Sequence, residues 1–368
     1  MIKNIQVNNF KGVTNLNIED FKRINLFVGE NNSCKTTILK ALRLLLCAGS
    51  SRQILDLFNL GHRFDGFDEN HWKSYFYNLK TNENIEIIGN RDKNKQLTLK
   101  ITPHSNVELI VKDEQKLLFV ESLAEETSTI NGLDFNYYVK SNNEVFEVIN
   151  KLYNEEDKRD AEISYRIRPR LRGFVNNNGE YKEDKNSIYI SANENLEQLS
   201  STLYEKIYKK KQQIEIIDVL KHIEPRLVDI VPITDSLYCD MGKSFKEFLP
   251  LNTMGDGMMK LFAILVIFYS YKNGIVFIDE IENGFHYKTL DILWEVVLKA
   301  AKDFKIQLFA TTHSRECVTA VSGAHEKQPK SVDDIRLYRL EKIKNSIEII
   351  KFNSERLSSV LKEGWEIR

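Results

Sequence analysis

Residues Ile24–Val28 form a short apolar run that ends in Gly29. The next seven residues, Glu30-Asn31-Asn32-Ser33-Cys34-Lys35-Thr36, lead straight into the helical pattern KTTILKALRLLLC of Lys35–Cys47. An apolar run of that length reads as a strand buried on both faces, as in a parallel sheet. A polar loop between such a strand and a helix gathers backbone N–H groups and a helix N-terminus around one point, which makes a cradle for phosphate. Read as this phosphate-binding (Walker A) loop, Gly29, Asn31, Asn32, Ser33, Cys34, Lys35, Thr36 and Thr37 hold a nucleotide. Lys35 sets a point charge against the terminal phosphates, and the Thr36 hydroxyl holds Mg2+. Cys34 stands where glycine is expected, and a Cβ there strains the loop.

Two further strand ends carry chemistry. Ile275–Ile278 is apolar and ends in Asp279-Glu280. Carboxylates at the C-terminal end of a buried strand serve something outside the sheet: Asp279 holds Mg2+ through water, and Glu280 orients and deprotonates an attacking water. The bland alternative is an acidic helix cap. The next apolar run, 307–310, leads into Thr311-Thr312-His313-Ser314, where the imidazole is placed to sense a terminal phosphate. Helical patterns over 258–271, 288–302 and 315–322 alternate with these strands, which indicates parallel βαβ units.

The rest of the chain is less regular. Alternating patterns predict strands over 2–8 and 15–18. Further short strands over 84–90, 97–102, 107–112 and 116–120 form an antiparallel meander. Residues 60–80 read as loops, 142–153 and 195–223 as helical, and 335–340 and 346–351 as strands before a short final helix. No heptad run is sustained, which argues against a long coiled coil. The chain has 368 residues, 42% hydrophobic and 29% charged, with a net charge of −1, so any polyanion binding must come from a local patch. Four cysteines (Cys34, Cys47, Cys239, Cys317) show no metal-ligand or CxxC spacing and read as reduced thiols. With no signal-peptide layout and no apolar run long enough to span a bilayer, a cytoplasmic protein without membrane contact is expected.

Taken as an ordered set, the motifs resemble ABC-type ATPases of the SMC, RecF and OLD (overcoming lysogenization defect) kind, and most of all the AAA-15/AAA-21 group of OLD-like ATPases. The matching pieces are Asn9-Phe10-Lys11-Gly12, residues 29–37, Met254-Gly255-Asp256-Gly257-Met258, residues 278–286, Ala310 to Ser314, and the ending Gly364-Trp365-Glu366-Ile367-Arg368. The resemblance implies an α/β P-loop NTPase of ABC-ATPase type, with a mixed or parallel sheet, an antiparallel β lobe and a mostly helical insertion. It divides the chain into 1–123 and 251–368 as the two halves of the ATPase domain, with 124–250 as a helical lid. It further implies that Lys11 helps hold the nucleotide. Gly255, Asp256 and Gly257 would act as a signature loop on the opposing subunit's γ-phosphate, with Glu282 and His286 in the dimer-facing D-loop. ATP and Mg2+ are the implied ligands, and a dimer or higher homo-oligomer is the implied assembly. Gly255 in place of the usual signature serine, Cys34, and the lack of a Q-loop glutamine after the first helix point to slow hydrolysis.

Many OLD proteins carry a TOPRIM nuclease domain with an Asp-x-Asp pair, and this sequence contains no such pair. The implied role is therefore a nucleotide-dependent switch acting with a separate effector, a nuclease above all, in anti-phage defence or DNA metabolism. The alternatives are an ATP-bound scaffold that sequesters a toxin-like partner and a RecF-like DNA-repair ATPase. Arg166, Arg168, Arg170 and Arg172 alternate along the chain and, if extended, share one face suited to DNA or another polyanion. The competing reading is a solvated edge strand blocked by Pro169.

Overall fold

The computed structural model describes residues 1–50, 54, 57, 69–92, 94–105, 130–141, 144–155, 168–176, 186–234, 236–327, 333–344 and 346–363. In chain order the strands are β1 Ile2–Phe10, β2 Val13–Ile18, β3 Ile24–Val28, β4 Ile85–Arg91, β5 Lys95–Ser105, β6 Ile130–Ser141, β7 Glu144–Glu155, β8 Arg168–Asn176 and β9 Ser187–Ile190. They continue with β10 Asp229–Ile233, β11 Ser236–Asp240, β12 Leu249–Pro250, β13 Ile275–Ile278, β14 Gln307–Thr311, β15 Ile335–Ile343 and β16 Ser346–Asn353. The helices are α1 Lys35–Cys47, α2 Glu69–Lys73, α3 Leu196–Lys209, α4 Ile214–Leu220, α5 Asp256–Ser270, α6 Leu290–Asp303, α7 Arg315–Glu326 and α8 Ser354–Lys362.

The chain forms two compact units. The first comprises Met1–Lys3, Ile18–Arg43 and Lys185–Arg368; the second comprises Asn4–Asn17 and Leu44–Asp184. The expected boundaries near 124 and 250 do not coincide with this division. Residues 130–176 add strands to a sheet begun before 124, and 186–250 pack with the residues that follow them.

The first unit is built on a sheet ordered β16-β15-β3-β14-β13-β9, with β15, β3, β14, β13 and β9 mutually parallel and only β16 antiparallel. β3, β13 and β14 are buried along their whole length, as their mainly apolar sequences require. Alternate residues divide between two faces. Leu26, Val28, Val276, Ile278, Leu308 and Ala310 join the main core beneath α5, α6 and α7. The other face carries an aromatic row: Phe277 stacks on Phe309 at 5.3 Å between centroids, and Phe21 meets Phe309 edge-on at 5.0 Å. Each such pair adds about 0.5–1.5 kcal/mol beyond its area burial. α5 is apolar on all sides from Leu261 to Phe268 and is buried throughout that stretch. Among the described residues no helix is long and apolar enough to cross a membrane.

Gln307, buried at the start of β14, ties the chain's first residues to this sheet. Its side chain accepts from the Ile2 N–H at 2.7 Å and donates to the Ile2 and Lys22 carbonyls at 2.8 and 2.9 Å.

The second unit holds a seven-stranded sheet ordered β2-β1-β4-β5-β6-β7-β8, antiparallel from β4 through β8. The meander expected over 84–90 and 97–102 is present as β4 and β5; its proposed continuation at 107–112 and 116–120 lies outside the described residues. The helical reading of 142–153, and with it the mostly helical insertion over 124–250, is corrected: among the described residues β6, β7 and β8 are long strands, and α3 and α4 are the α-helices of that stretch. The cause is local. Val145, Val148, Ile149 and Leu152 fall at helical spacing, yet the buried face of β7 is Val148, Asn150 and Leu152. Asn150 is buried because its amide donates to the Ala48 carbonyl at 2.7 Å, and Val145 is half exposed. A polar residue inside and an apolar one outside hide the two-residue period. β8 is the last strand of its sheet, the place where Pro169 is tolerated. Its backbone is extended through Arg168, Arg170 and Arg172, whereas Arg166 lies outside the described residues.

In the first unit Arg336, at the start of β15, is clamped by Asp20 at 2.7 Å and by both oxygens of Asp333. The Arg336 guanidinium holds the Asp333 carboxyl down to about 2, below its ordinary 3.8. A depressed carboxylate contributes stability above the ordinary value and loses it as pH falls through the folded one. The stability advantage of the wild type over Asp333→Asn is therefore expected to hold at neutral pH and to shrink between pH 3.8 and about 2, measured by urea unfolding along a pH series.

Candidate active site

Because β3, β14, β13 and β9 run parallel, Val28, Thr311, Ile278 and Ile190 all end at one edge of the sheet. The loop after β3, the acidic pair after β13 and the histidine after β14 therefore meet there. α1 begins at Lys35 with no acidic residue in its first turn, so its positive end faces the loop unopposed. Gly29 has φ 144°, and a Cβ on it would run into the Leu340 carbonyl and lie 2.8 Å from the Ser33 hydroxyl; only glycine fits. Asn32 and Cys34 also take left-handed backbone, at φ 66° and 68°. For Cys34 that conformation carries a strain of about 1–2 kcal/mol that glycine would not have. The Lys35 ammonium curls over the loop and donates to the Gly29 and Glu30 carbonyls at 2.8 Å each. Burial pulls its pKa down, while the carboxylates of Asp279, Glu280 and Glu282 oppose the shift.

Asp279 is buried and accepts from three hydroxyls: Thr36 at 2.9 and 3.0 Å, Thr311 at 2.6 Å and Tyr189 at 3.3 Å. Thr36 thus meets Asp279 across the intervening strand β14, the pairing required of two Mg2+ ligands. Among the described residues no group of three or more His, Cys, Asp or Glu could hold a metal. One hydroxyl and one carboxylate make the sparse donor set of a Mg2+ ion that keeps waters and substrate phosphates as its remaining ligands. The residues present fit that ion. Local sequence does not single out Tyr189 and Thr311: β9 is four residues of mixed burial, and Thr311 stands out only as a neighbour of His313. Burial, then the Asp279 charge, raises the Tyr189 phenol's pKa well above its ordinary value, so it stays a donor.

Glu280 sits at φ 53°, an unusual backbone for a non-glycine residue, with its N–H donated to the Thr311 hydroxyl at 2.8 Å. Its partly exposed carboxylate accepts from the Asn283 amide at 2.7 Å and lies 4.0 Å from His313 Nδ1. Glu282, the other expected D-loop residue, turns inward within the chain. It is buried, accepts from the His313 backbone N–H at 3.0 Å and stands 3.3 Å from His313 Nδ1. His286 is exposed, caps the turn over Tyr287–Thr289 and packs on Tyr287 at 4.4 Å. Ser314 caps α7 by accepting from the Cys317 N–H at 3.0 Å, which fixes the chain immediately after His313.

Gly255 takes φ 94° with open space around its Cβ position and starts α5 without a side-chain cap; Asp256 and Gly257 follow in the first turn. A cavity of about 340 Å³ lies beside this turn, lined among others by Ser191, Glu194, Asp256, Lys260, Glu280 and Asn283. A second, of about 560 Å³, runs along Asn31, Asn32 and Ser33 and is lined by Lys342 and Lys344 of the β15–β16 hairpin, which the sequence reading had not assigned to the site. Lys11 belongs to the second unit, where its ammonium lies 4.9 Å from the Tyr75 ring centre.

Residues 1–318 match the family AAA_15, described as an AAA ATPase domain. A Helicobacter pylori protein named ATP/GTP phosphatase is 25% identical over 341 residues, covering 86% of each chain. Among solved structures, an SMC head bound to the C-winged helix domain of ScpA aligns with TM-score 0.49 at 9% identity, over 97% of this chain and 99% of that one. The SMC head domain from Thermotoga maritima aligns with TM-score 0.45 at 10% identity, over 95% and 98%.

Cys34→Gly is expected to raise stability by about 1 kcal/mol in chemical unfolding, since glycine occupies φ 68° without strain. Gly29→Ala and Lys35→Ala are expected to abolish ATP binding in titration calorimetry, the first by displacing the loop and the second by removing its one fixed positive charge.

Proposed function

The chain belongs to the AAA_15 family of AAA ATPase domains, and on that premise we propose that it binds ATP on the loop 29–37 and hydrolyses it slowly as a nucleotide-dependent switch. The observation that carries this reading is the Thr36 hydroxyl held on Asp279 across β14, with the Glu280 carboxylate presented from the next residue. Mg2+ held by Thr36 and Asp279 would supply charge neutralisation at the phosphate oxygens. Lys35, with the loop amides and the α1 N-terminus, binds and orients the triphosphate. Glu280 takes the proton of the attacking water, held in place by the Asn283 amide and its own constrained backbone. His313, braced by Glu282, presents its imidazole at the same edge and senses the terminal phosphate. The Helicobacter pylori relative is named an ATP/GTP phosphatase, which supports hydrolysis.

Gly255, Asp256 and Gly257 at the exposed start of α5 support a site completed by a second copy of the chain. Gly255 brings no hydroxyl, and Cys34 adds strain to the loop, so turnover is slow. The switch serves a separate effector, a nuclease being favoured by the resemblance of the ordered motifs to OLD-like ATPases, in anti-phage defence or DNA metabolism. The alternating Arg166, Arg168, Arg170 and Arg172 of the sequence are the proposed contact for DNA or another polyanion.

Glu280→Gln is expected to lower the ATP hydrolysis rate by about 100-fold or more while leaving ATP binding within about twofold. Phosphate release and nucleotide titration on the same preparations check this. A rate unchanged by the substitution would favour an ATP-bound scaffold that holds a toxin-like partner.

A further inference from the structure

Lys260 lies in the second turn of α5, five residues after Gly255, and points away from the helix axis toward the loop that follows β13. It is half-buried, and its ammonium donates to the backbone carbonyl of Asn283. Asn283 in turn donates its side-chain amide to Glu280 Oε2 at 2.7 Å and its backbone N–H to the Glu280 carbonyl at 2.9 Å. Gly284 has φ 74°, and a Cβ there would collide with the Lys260 ammonium and its terminal methylene. The lysine stem therefore occupies the space that glycine leaves, and the two residues fit as a pair. Desolvation pulls the Lys260 pKa down, with Asp256 opposing, so the charge is held there against a burial cost.

We propose that Lys260 is a positioning residue for Glu280: it holds the Asn283 backbone from α5, and Asn283 holds the carboxylate that takes the proton from water. The proposal rests on the hydrolytic reading of Glu280. Its consequence is that the helix presenting Gly255, Asp256 and Gly257 also sets the alignment of the general base, so the seating of that helix end and the readiness of Glu280 are one variable. A lysine that only stabilised the fold would lower the melting temperature on removal and leave the chemistry alone. A relay instead lowers kcat without weakening ATP binding, because misplacing a catalytic group by a fraction of an ångström acts on the reacting state.

The test compares full-length wild type with Lys260→Met, Lys260→Arg, Gly284→Ala, Glu280→Gln and the Lys260→Met/Glu280→Gln double variant. Steady-state phosphate release, ATP titration and thermal melting are measured on each. The relay predicts that Lys260→Met lowers kcat about 10- to 100-fold with ATP affinity within about twofold, and that Lys260→Arg recovers most of the rate. Gly284→Ala, which displaces the ammonium but keeps the charge, should reproduce the loss. In the Glu280→Gln background Lys260→Met should add nothing, since residues acting as one unit are not additive. A wild-type kcat in Lys260→Met, or a loss that multiplies with that of Glu280→Gln, overturns the relay while leaving the ATPase reading intact. If Lys260→Met does not fold, Gly284→Ala and Lys260→Arg decide by the same criteria. Absence of turnover in the wild type, or turnover indifferent to Glu280→Gln, sinks the hydrolytic reading and the relay with it.

Discussion

Asp279 is the group on which the site depends. A buried carboxylate must be satisfied, and this one accepts hydroxyls from three separate elements: Thr36 at the start of α1, Thr311 at the end of β14 and Tyr189 on β9. Those bonds hold the phosphate loop, the central strand and the sheet's far strand in one arrangement. They also explain why Glu280 is where it is. Its backbone N–H is donated to the same Thr311 hydroxyl that reaches Asp279, so the proposed metal ligand and the proposed base share one anchor.

Left-handed backbone, found at several places in the described chain, also recurs at this edge. Asn32, Cys34 and Glu280 occupy left-handed backbone, and Gly29 and Gly284 stand where a Cβ would meet neighbouring atoms. Such conformations persist only where the surroundings over-determine them. Here the surroundings are three strands buried on both faces and α5, apolar on every side. An apolar platform carrying a strained polar rim fits the proposed switch, since small changes at the rim are not absorbed by a close-packed core.

The loop 29–37, Asp279-Glu280 and His313 were legible because each is contiguous and lies at the end of an apolar run whose length marks it as buried. The same logic failed on β7. Its buried face includes Asn150, satisfied by a carbonyl from a segment about a hundred residues earlier in the chain, and no local pattern announces that bond. Tyr189 was missed for a related reason: β9 is four residues long and only two of them are fully buried, too short and too mixed to stand out. For Glu282 the motif resemblance names only a D-loop position; its burial against His313 comes from a turn the local sequence does not reveal.

The order of motifs along the chain determined, without coordinates, that a phosphate cradle, an acidic strand end and a histidine belong to one α/β sheet, because each is a short-range pattern of burial period and chain flexibility. What only the tertiary structure decided is which side chains hold those pieces together. Tyr189 with Asp279, Arg336 with Asp20, Gln307 with Ile2 and Lys260 with Asn283 are pairings between residues far apart in sequence. Each exists because a parallel sheet and the helices over it bring distant backbone to hydrogen-bonding distance, and a polar group once buried there must find its partner among whatever the fold has placed beside it.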